Sequence, residues 1–379
     1  MVSIRHREKA LVVLQLSGGN DPLNTVVPYT DGHYYDHRPK VNIAPEDVLQ
    51  IDDEYGFHPS MGPIKELWDQ GKVAMVHGLG HGISERSHFR SMDIWHTAEP
   101  DAIGTEGWLG RAIKHIDPKG ENVILGVNFG KGLPRAMASV GVPVASVGNL
   151  ETYGLFPDLE DEWLKKYAIE AFANMYGRHM VESGVMGYLG QTGTNALKGA
   201  DILRATPEKY SSAVEYASNP IAQDFKRIAQ VLLADVGSRI FYSQHGSFDT
   251  HSMQAATHAQ LWDEVSGAVG DFFDDMREHG REDDVIVLMF SEFGRRVADN
   301  GSFGTDHGAG ATAFVIGGAV DGAVYGEYPS RDEKDLFDGD LQYTNDFRST
   351  YSTVLDHWLG LEPDPIVNGR FEQFDMFKN

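Results

Sequence analysis

The stretch Val285–Gly310, VIVLMFSEFGRRVADNGSFGTDHGAG, constrains the fold more than any other part of the chain. It opens with five apolar residues, Val285 to Met289, rich in β-branched side chains. A short unbroken apolar run bounded by polar residues reads as a strand buried on both faces. The run gives way to Ser291, Glu292, Arg295 and Arg296, and after a Gly/Asn-rich loop to Asp306 and His307. Carboxylates and imidazoles arriving just past a buried strand are placed where open α/β sheets hold their ligands, at the carboxyl ends of the strands.

Similar runs recur along the chain. Ala10–Leu16, Val73–His77, Val123–Val127, Ile240–Ser243 and Thr312–Gly317 read as strands, with Val140–Val147 as an edge strand. Between them, Ile64–Gln70, Ser87–Thr97, Gly107–His115, Ala222–Leu233, Ala255–Glu278 and Phe347–Leu359 carry helical spacing. This alternation implies an α/β fold with a largely parallel sheet, in a chain long enough for one large domain or two smaller ones. Residues 150–215 change character and read as a helical insertion or lid, with the Gly-rich GQTGTN as a mobile middle. Gly78–Gly82 reads as a flexible loop.

With 32 basic and 56 acidic residues, the formal charge of −24 argues against a nucleic-acid partner. It suits cation binding, and equally a merely solvated surface. The absence of cysteine removes disulfides, thiolate metal sites and cysteine nucleophiles together. No apolar run approaches the roughly 20 residues that span a bilayer, and the first ten residues lack the apolar core of a signal peptide. A soluble protein is expected, with its compartment open.

Candidate ligands gather in the loops after the strands. Asp21 follows the first, Asp249 and His251 follow Ile240–Ser243, Glu292 follows Val285–Met289, and Asp306 with His307 completes the set. Carboxylate oxygen and imidazole nitrogen suit Zn, Mn, Ca or Mg, one ion or two. An Asp after a Gly-Gly turn is more often a helix cap. Ser87 and Ser84 stand near a helix start, as caps or as nucleophiles beside free backbone N–H groups. Arg86, Arg90 and Arg295 are candidates for binding an anion. His88 reads as a ligand, as a proton donor to a leaving group, or as a core residue.

The motifs GGNDPLNTVVPY (18–29), FHPSMGPIKELW (57–68), RSHFRSMDIW (86–95), GWLGRAI (107–113), FDTHSMQ (248–254), SEFGRRVADNGSFGTDHGAG (291–310) and DFRSTYSTVLDHWLG (346–360) resemble the bacterial domain-of-unknown-function family 1501. That family resembles the alkaline phosphatase and sulfatase superfamily. The resemblance implies an alkaline-phosphatase-like three-layer sandwich, a central mainly parallel sheet between helices, formed as a single domain over 1–379. It also implies a metal-dependent hydrolase of small-molecule or saccharide sulfate or phosphate esters. Metal ligands would be Asp21, Asp249, His251 and His307, with Glu292 and Asp306 as further candidates, and the nucleophile Ser87 or Ser84. The superfamily usually has Asp-His where Ser291-Glu292 stands, which opens the question of a second metal. No Cys/Ser-x-Pro-x-Arg setting is present for formylglycine, so a serine or a metal-bound hydroxide would attack instead. The alternative from another class is a non-catalytic binding or assembly protein that keeps the fold and a structural metal, and either reading is compatible with a homo-oligomer. Export by the twin-arginine route is an implication of the resemblance alone.

Overall fold

In a computed structural model, residues 8–82, 85–130, 132–150, 153, 161–177 and 184–378 are described. The sheet is built on Ala10–Leu16, a strand whose seven residues are all buried. Its side chains alternate between two cores: Val12 and Leu14 enter one, Leu11 and Val13 the other. Val285–Phe290 repeats the pattern, with Val287 and Met289 on the first face and Ile286, Leu288 and Phe290 on the second. Period-two alternation in a strand that is apolar throughout demands a helix layer on each side. Each fully buried side chain of this kind contributes about 1.5–3 kcal/mol.

The first face is covered by the helices Gly62–Asp69, Pro220–Leu233 and Gln254–Glu278, through Ile64, Phe225, Trp262 and Phe272. The second is covered by His88–Thr97, Trp108–Ile116 and Phe347–Thr353, through Trp95, Trp108 and Tyr351. Among the described residues the sheet has nine strands. Its main path runs Val324–Tyr325, Val73–Gly80, Ala311–Ile316, Val285–Phe290, Ala10–Leu16, Ile240–His245, Gly126–Phe129, Val144–Val147. Only Ala311–Ile316 runs antiparallel to its neighbours; the other pairings are parallel. The expected mainly parallel sheet between helices is therefore observed.

Register fixes where the functional loops emerge. Leu16 pairs with His245, and Gln15 with both Gln244 and Phe290, so three strands end at one level. Past that level a hairpin of Arg295–Asp299 and Thr305–His307 folds back, with Arg295 opposite His307.

Several local expectations differ from the structure. Val73–Gly80 runs through part of the expected Gly78–Gly82 loop, because Leu79 and Gly80 find partners in Asn345 and Asp346. The third strand is Gly126–Phe129, shifted from Val123–Val127 by its pairing to Val144–Val147 and Ile240–His245. The GQTGTN stretch lies inside the helix Val185–Arg204, with Gly190 and Gly193 buried. This helix packs against Glu162–Gly177. The closing helix widens into a π-turn at Val354–Trp358. No helix of the described residues is long and apolar enough to cross a membrane.

Candidate metal centre

Three imidazoles and one carboxylate converge beyond the strand ends. Asp249 follows Ile240–His245, and its Oδ1 lies 3.0 Å from His251 Nε2 and 3.0 Å from His307 Nε2. The two Nε2 atoms are 2.9 Å apart. His88, the first residue of the helix His88–Thr97, places its Nε2 3.5 Å from Asp249 Oδ2. His88, Asp249 and His307 have ligand-type atoms all within 4.8 Å of one another.

Each ring is held from behind. His307 Nδ1 lies 2.8 Å from the Arg86 carbonyl, which can only accept, so the hydrogen sits on Nδ1. His251 Nδ1 faces Asp306 Oδ1 at 3.0 Å, and His88 Nδ1 faces Glu292 Oε1 at 2.9 Å. The hydrogen bond from His251 lowers the Asp306 pKa. Burial alone would raise that of Glu292, but the bonds from His88 and the Gly18 N–H outweigh it. Both carboxylates are therefore ionised acceptors, available to a hydrogen on Nδ1 of His251 and of His88. In the neutral rings this leaves the Nε2 lone pairs facing one another and Asp249. Such an arrangement is repulsive unless a cation or a proton lies among the three atoms. Imidazoles fixed by carboxylate or carbonyl partners behind them are the usual supports of metal-ligating histidines. The donor set fits a divalent ion.

The electrostatics add one further element. Arg295 is fully buried, and its guanidinium reaches Asp249 Oδ1 at 2.7 Å. Partial burial would raise the Asp249 carboxyl, but Arg295 and His307 hold it at about 2. The hydrogen bond to Glu292 raises the pKa of His88 above the ordinary histidine value.

The loops that carry these groups are locked together. The Gly18 N–H donates to Glu292 Oε1 at 2.9 Å, and the Asn20 N–H to Ser291 Oγ at 2.8 Å. Gly18 has φ +124°, and a Cβ there would lie 2.4 Å from the Asp249 nitrogen, so only glycine fits. Gly304 is equally restricted, because a Cβ would lie 2.3 Å from the His251 carbonyl carbon.

The structure brings together Asp249, His251, His307 and His88 of the expected residues. It places Glu292 and Asp306 behind the imidazoles as their hydrogen-bond acceptors, not among the converging atoms. Asp21 is elsewhere engaged. It is fully buried, its Oδ2 lies 2.6 Å from Arg38 Nη1 and 2.5 Å from Gln254 Nε2, and its Oδ1 accepts from the Leu23 N–H. The helix-cap reading holds at this position, because the turn Pro22–Thr25 follows it directly.

None of the three arginines offers an open anion clamp. Arg86 is bound to Asp338 and Asp340, and Arg90 to Asp93 and the carbonyls of Pro100 and Ala102. Arg295 spends its donors on Asp249 and on the carbonyls of Gly18, Gly19, Phe248 and Thr305. Acidic and carbonyl partners within reach took these guanidinium groups first. Ser87 is exposed at the N-cap of His88–Thr97, and its side chain makes no capping bond. Ser84 lies outside the described residues. Sequence reasoning missed Arg38, Gln254, Phe293 and the N–H of Gly18. Gln254 and Phe293 lie inside the FDTHSMQ and SEFGRR motifs, and the GG turn was the signal for Gly18.

Among solved structures the chain is similar to the PsFucS1 sulfatase from Pseudoalteromonas sp. The identity is 14% over 97% of this chain and 71% of that one, with a TM-score of 0.39. It is similar to a protein in the alkaline phosphatase superfamily from Vibrio parahaemolyticus, at 12% identity over 85% and 63%, TM-score 0.32. It is also similar to the C-terminal periplasmic domain of EcEptC from Escherichia coli, solved in complex with Zn, at 8% identity over 82% and 74%, TM-score 0.35. No curated protein sequence matches the chain. The model of the family described as "Protein of unknown function (DUF1501)" matches residues 8–367, and the chain belongs to that family.

Proposed function

We propose that the protein is a metal-dependent hydrolase of sulfate or phosphate esters. The observation that carries this reading is the convergence of His251 Nε2, His307 Nε2 and Asp249 Oδ1 within 3.0 Å, with both rings fixed from behind. Asp249, His251 and His307 would hold one divalent ion. An imidazole-rich set favours zinc over calcium or magnesium, which prefer all-oxygen shells. The buried guanidinium of Arg295 against Asp249 disfavours a second cation on that side. When bound, the ion supplies Lewis-acid polarisation of an ester oxygen.

The remaining steps belong to the chain itself. Ser87 stands between Arg86, whose carbonyl anchors His307, and His88, whose ring faces Asp249. Its exposed hydroxyl is the nucleophile of the reaction: it gives its proton to solvent, forms a Ser87 ester as the bond to the leaving alcohol breaks, and water then hydrolyses that ester to free the inorganic anion. The first N–H groups of the ten-residue helix His88–Thr97 lack intrahelical partners and stabilise the anionic group under attack. His88, held by Glu292 with a raised pKa, gives a proton to the leaving alcohol.

The test is turnover of 4-nitrophenyl sulfate and 4-nitrophenyl phosphate by protein with and without zinc. Activity is expected only with metal, and Ser87→Ala is expected to lower kcat about 1000-fold while metal content holds. His88→Ala is expected to keep its metal and lose the alkaline limb of the pH–rate profile. Loss of metal in His88→Ala equal to that in His307→Ala would make His88 a ligand and end its role as an acid. Retention of both metal and turnover in His307→Ala would end the whole reading.

A further inference from the structure

A cavity of about 320 Å³ opens beside the candidate metal centre, walled chiefly by the apolar side chains of Leu79, Trp95, Phe293, Phe337, Leu341 and Tyr343. No Lys or Arg stands among its lining residues; it holds His81 and the carboxylates Glu85, Glu292 and Asp340, of which Glu292 is bonded to His88 and Asp340 to Arg86. That lining offers no cationic partner for a sulfate or phosphate group, so the cavity is not where the ester's anion sits. It has the size and lining of a small-molecule site, in which a few polar groups orient a mostly apolar ligand.

Two residues join this cavity to the centre. The Phe293 ring lines it and also packs 4.8 Å from the His88 ring and 4.8 Å from the His307 ring, centroid to centroid. Glu292 lines it and accepts the hydrogen bond from His88 Nδ1. Gly308, next to His307, forms part of the same wall. At the mouth, Phe337 and Tyr343 are 62% and 43% exposed. Both rings can gain burial against a ligand that enters the cavity between them.

We propose that this cavity binds the alcohol portion of the substrate, and that this portion is an uncharged aromatic or otherwise apolar group rather than a polyanionic saccharide. The inference rests on the hydrolase reading. The apolar group sits against Phe293, the ester's anion lies at the imidazoles beyond it, and a hydroxyl on the group finds acceptors in Glu85 and Glu292. The substrate class is thus an aryl or similarly apolar ester, selected by burial of its alcohol end and by the lack of a cationic partner for any second anion.

The experiment measures fluorescence binding of 1-naphthol, the free alcohol, to zinc-loaded protein. Binding needs no turnover, so it stands apart from the hydrolase reading. Two variants are compared with the parent protein. Phe337→Ser/Tyr343→Ser removes the exposed walls, and Ala309→Phe fills the cavity from a partly exposed position. Each is expected to weaken naphthol binding about tenfold with unchanged zinc content. Each is also expected to lower kcat/KM for the 1-naphthyl ester about tenfold while leaving the methyl ester unaffected. Failure of the parent protein to bind naphthol, or affinities within twofold in both variants, overturns the proposal. Naphthol binding that is lost in the variants, together with no turnover of any ester, upholds the cavity and refutes the hydrolase reading instead.

Discussion

Asp21 and Asp249 show how one residue type takes two roles from its surroundings. Both stand just past a strand, and the sequence alone does not separate them. Asp21 meets Arg38 inside the protein, both side chains fully buried, and becomes a strut. Asp249 remains part-exposed and meets imidazoles, and becomes the centre of the site. Asp21→Ala leaves the Arg38 charge buried without its partner, so it is expected to cost about 3–5 kcal/mol in urea unfolding. Burial alone would raise the Asp21 carboxyl, but Arg38 outweighs it and the pKa is lowered. A depressed carboxylate stabilises fully above its unfolded value of 3.8 and loses that contribution as pH falls below it. The urea midpoint of the parent protein is therefore expected to drop faster than that of Asp21→Asn below about pH 4. Glu292 has a different signature. Glu292→Gln keeps a hydrogen-bond acceptor for His88 but removes the charge, and is expected to leave zinc content intact while lowering the pH of the alkaline limb. The identities of the imidazoles were legible from FDTH and GTDHG. The partners of Asp21 were not, because Arg38 lies 17 residues away and is brought to it by tertiary packing.

At the scale of elements, the site depends on loops that approach one another more closely than any side chain allows. Gly304 in the hairpin lies against the backbone of His251. Gly304→Ala touches no ligand atom, yet it is expected to push His251 out of position and lower zinc affinity at least tenfold, read by competition with a chromophoric chelator. The same substitution at Gly301, where a Cβ meets nothing within 4 Å, is expected to leave affinity unchanged. The strand and helix framework was legible because buried strands are apolar without interruption and the covering helices keep their spacing. Boundaries were less so. Val73–Gly80 outran its apolar run because neighbours far along the chain supplied hydrogen bonds to Leu79 and Gly80. Arg295 and Arg296 looked like loop residues, but they open a hairpin strand paired with His307. Charge alone did not reveal that Arg295 would be buried, since its partners are mostly carbonyls, which composition does not show.

At the scale of the whole molecule, a formal charge of −24 means that the folded state gathers like charges that the unfolded chain spreads apart. Raising NaCl from 10 mM to 500 mM screens that repulsion and is expected to raise the Tm, followed by circular dichroism. Arg295 gives the molecule a second global property. Its guanidinium binds carbonyls of Gly18 and Phe248, 277 and 47 residues away, and the carboxylate of Asp249. Contacts of such sequence separation form only after long loops have closed, which is the slow part of folding. The ion-binding geometry therefore has no meaning in a half-folded chain. During refolding, zinc capture should lag behind the return of helical signal and coincide with the last kinetic phase, so that the bound metal acts as a clock for completed assembly.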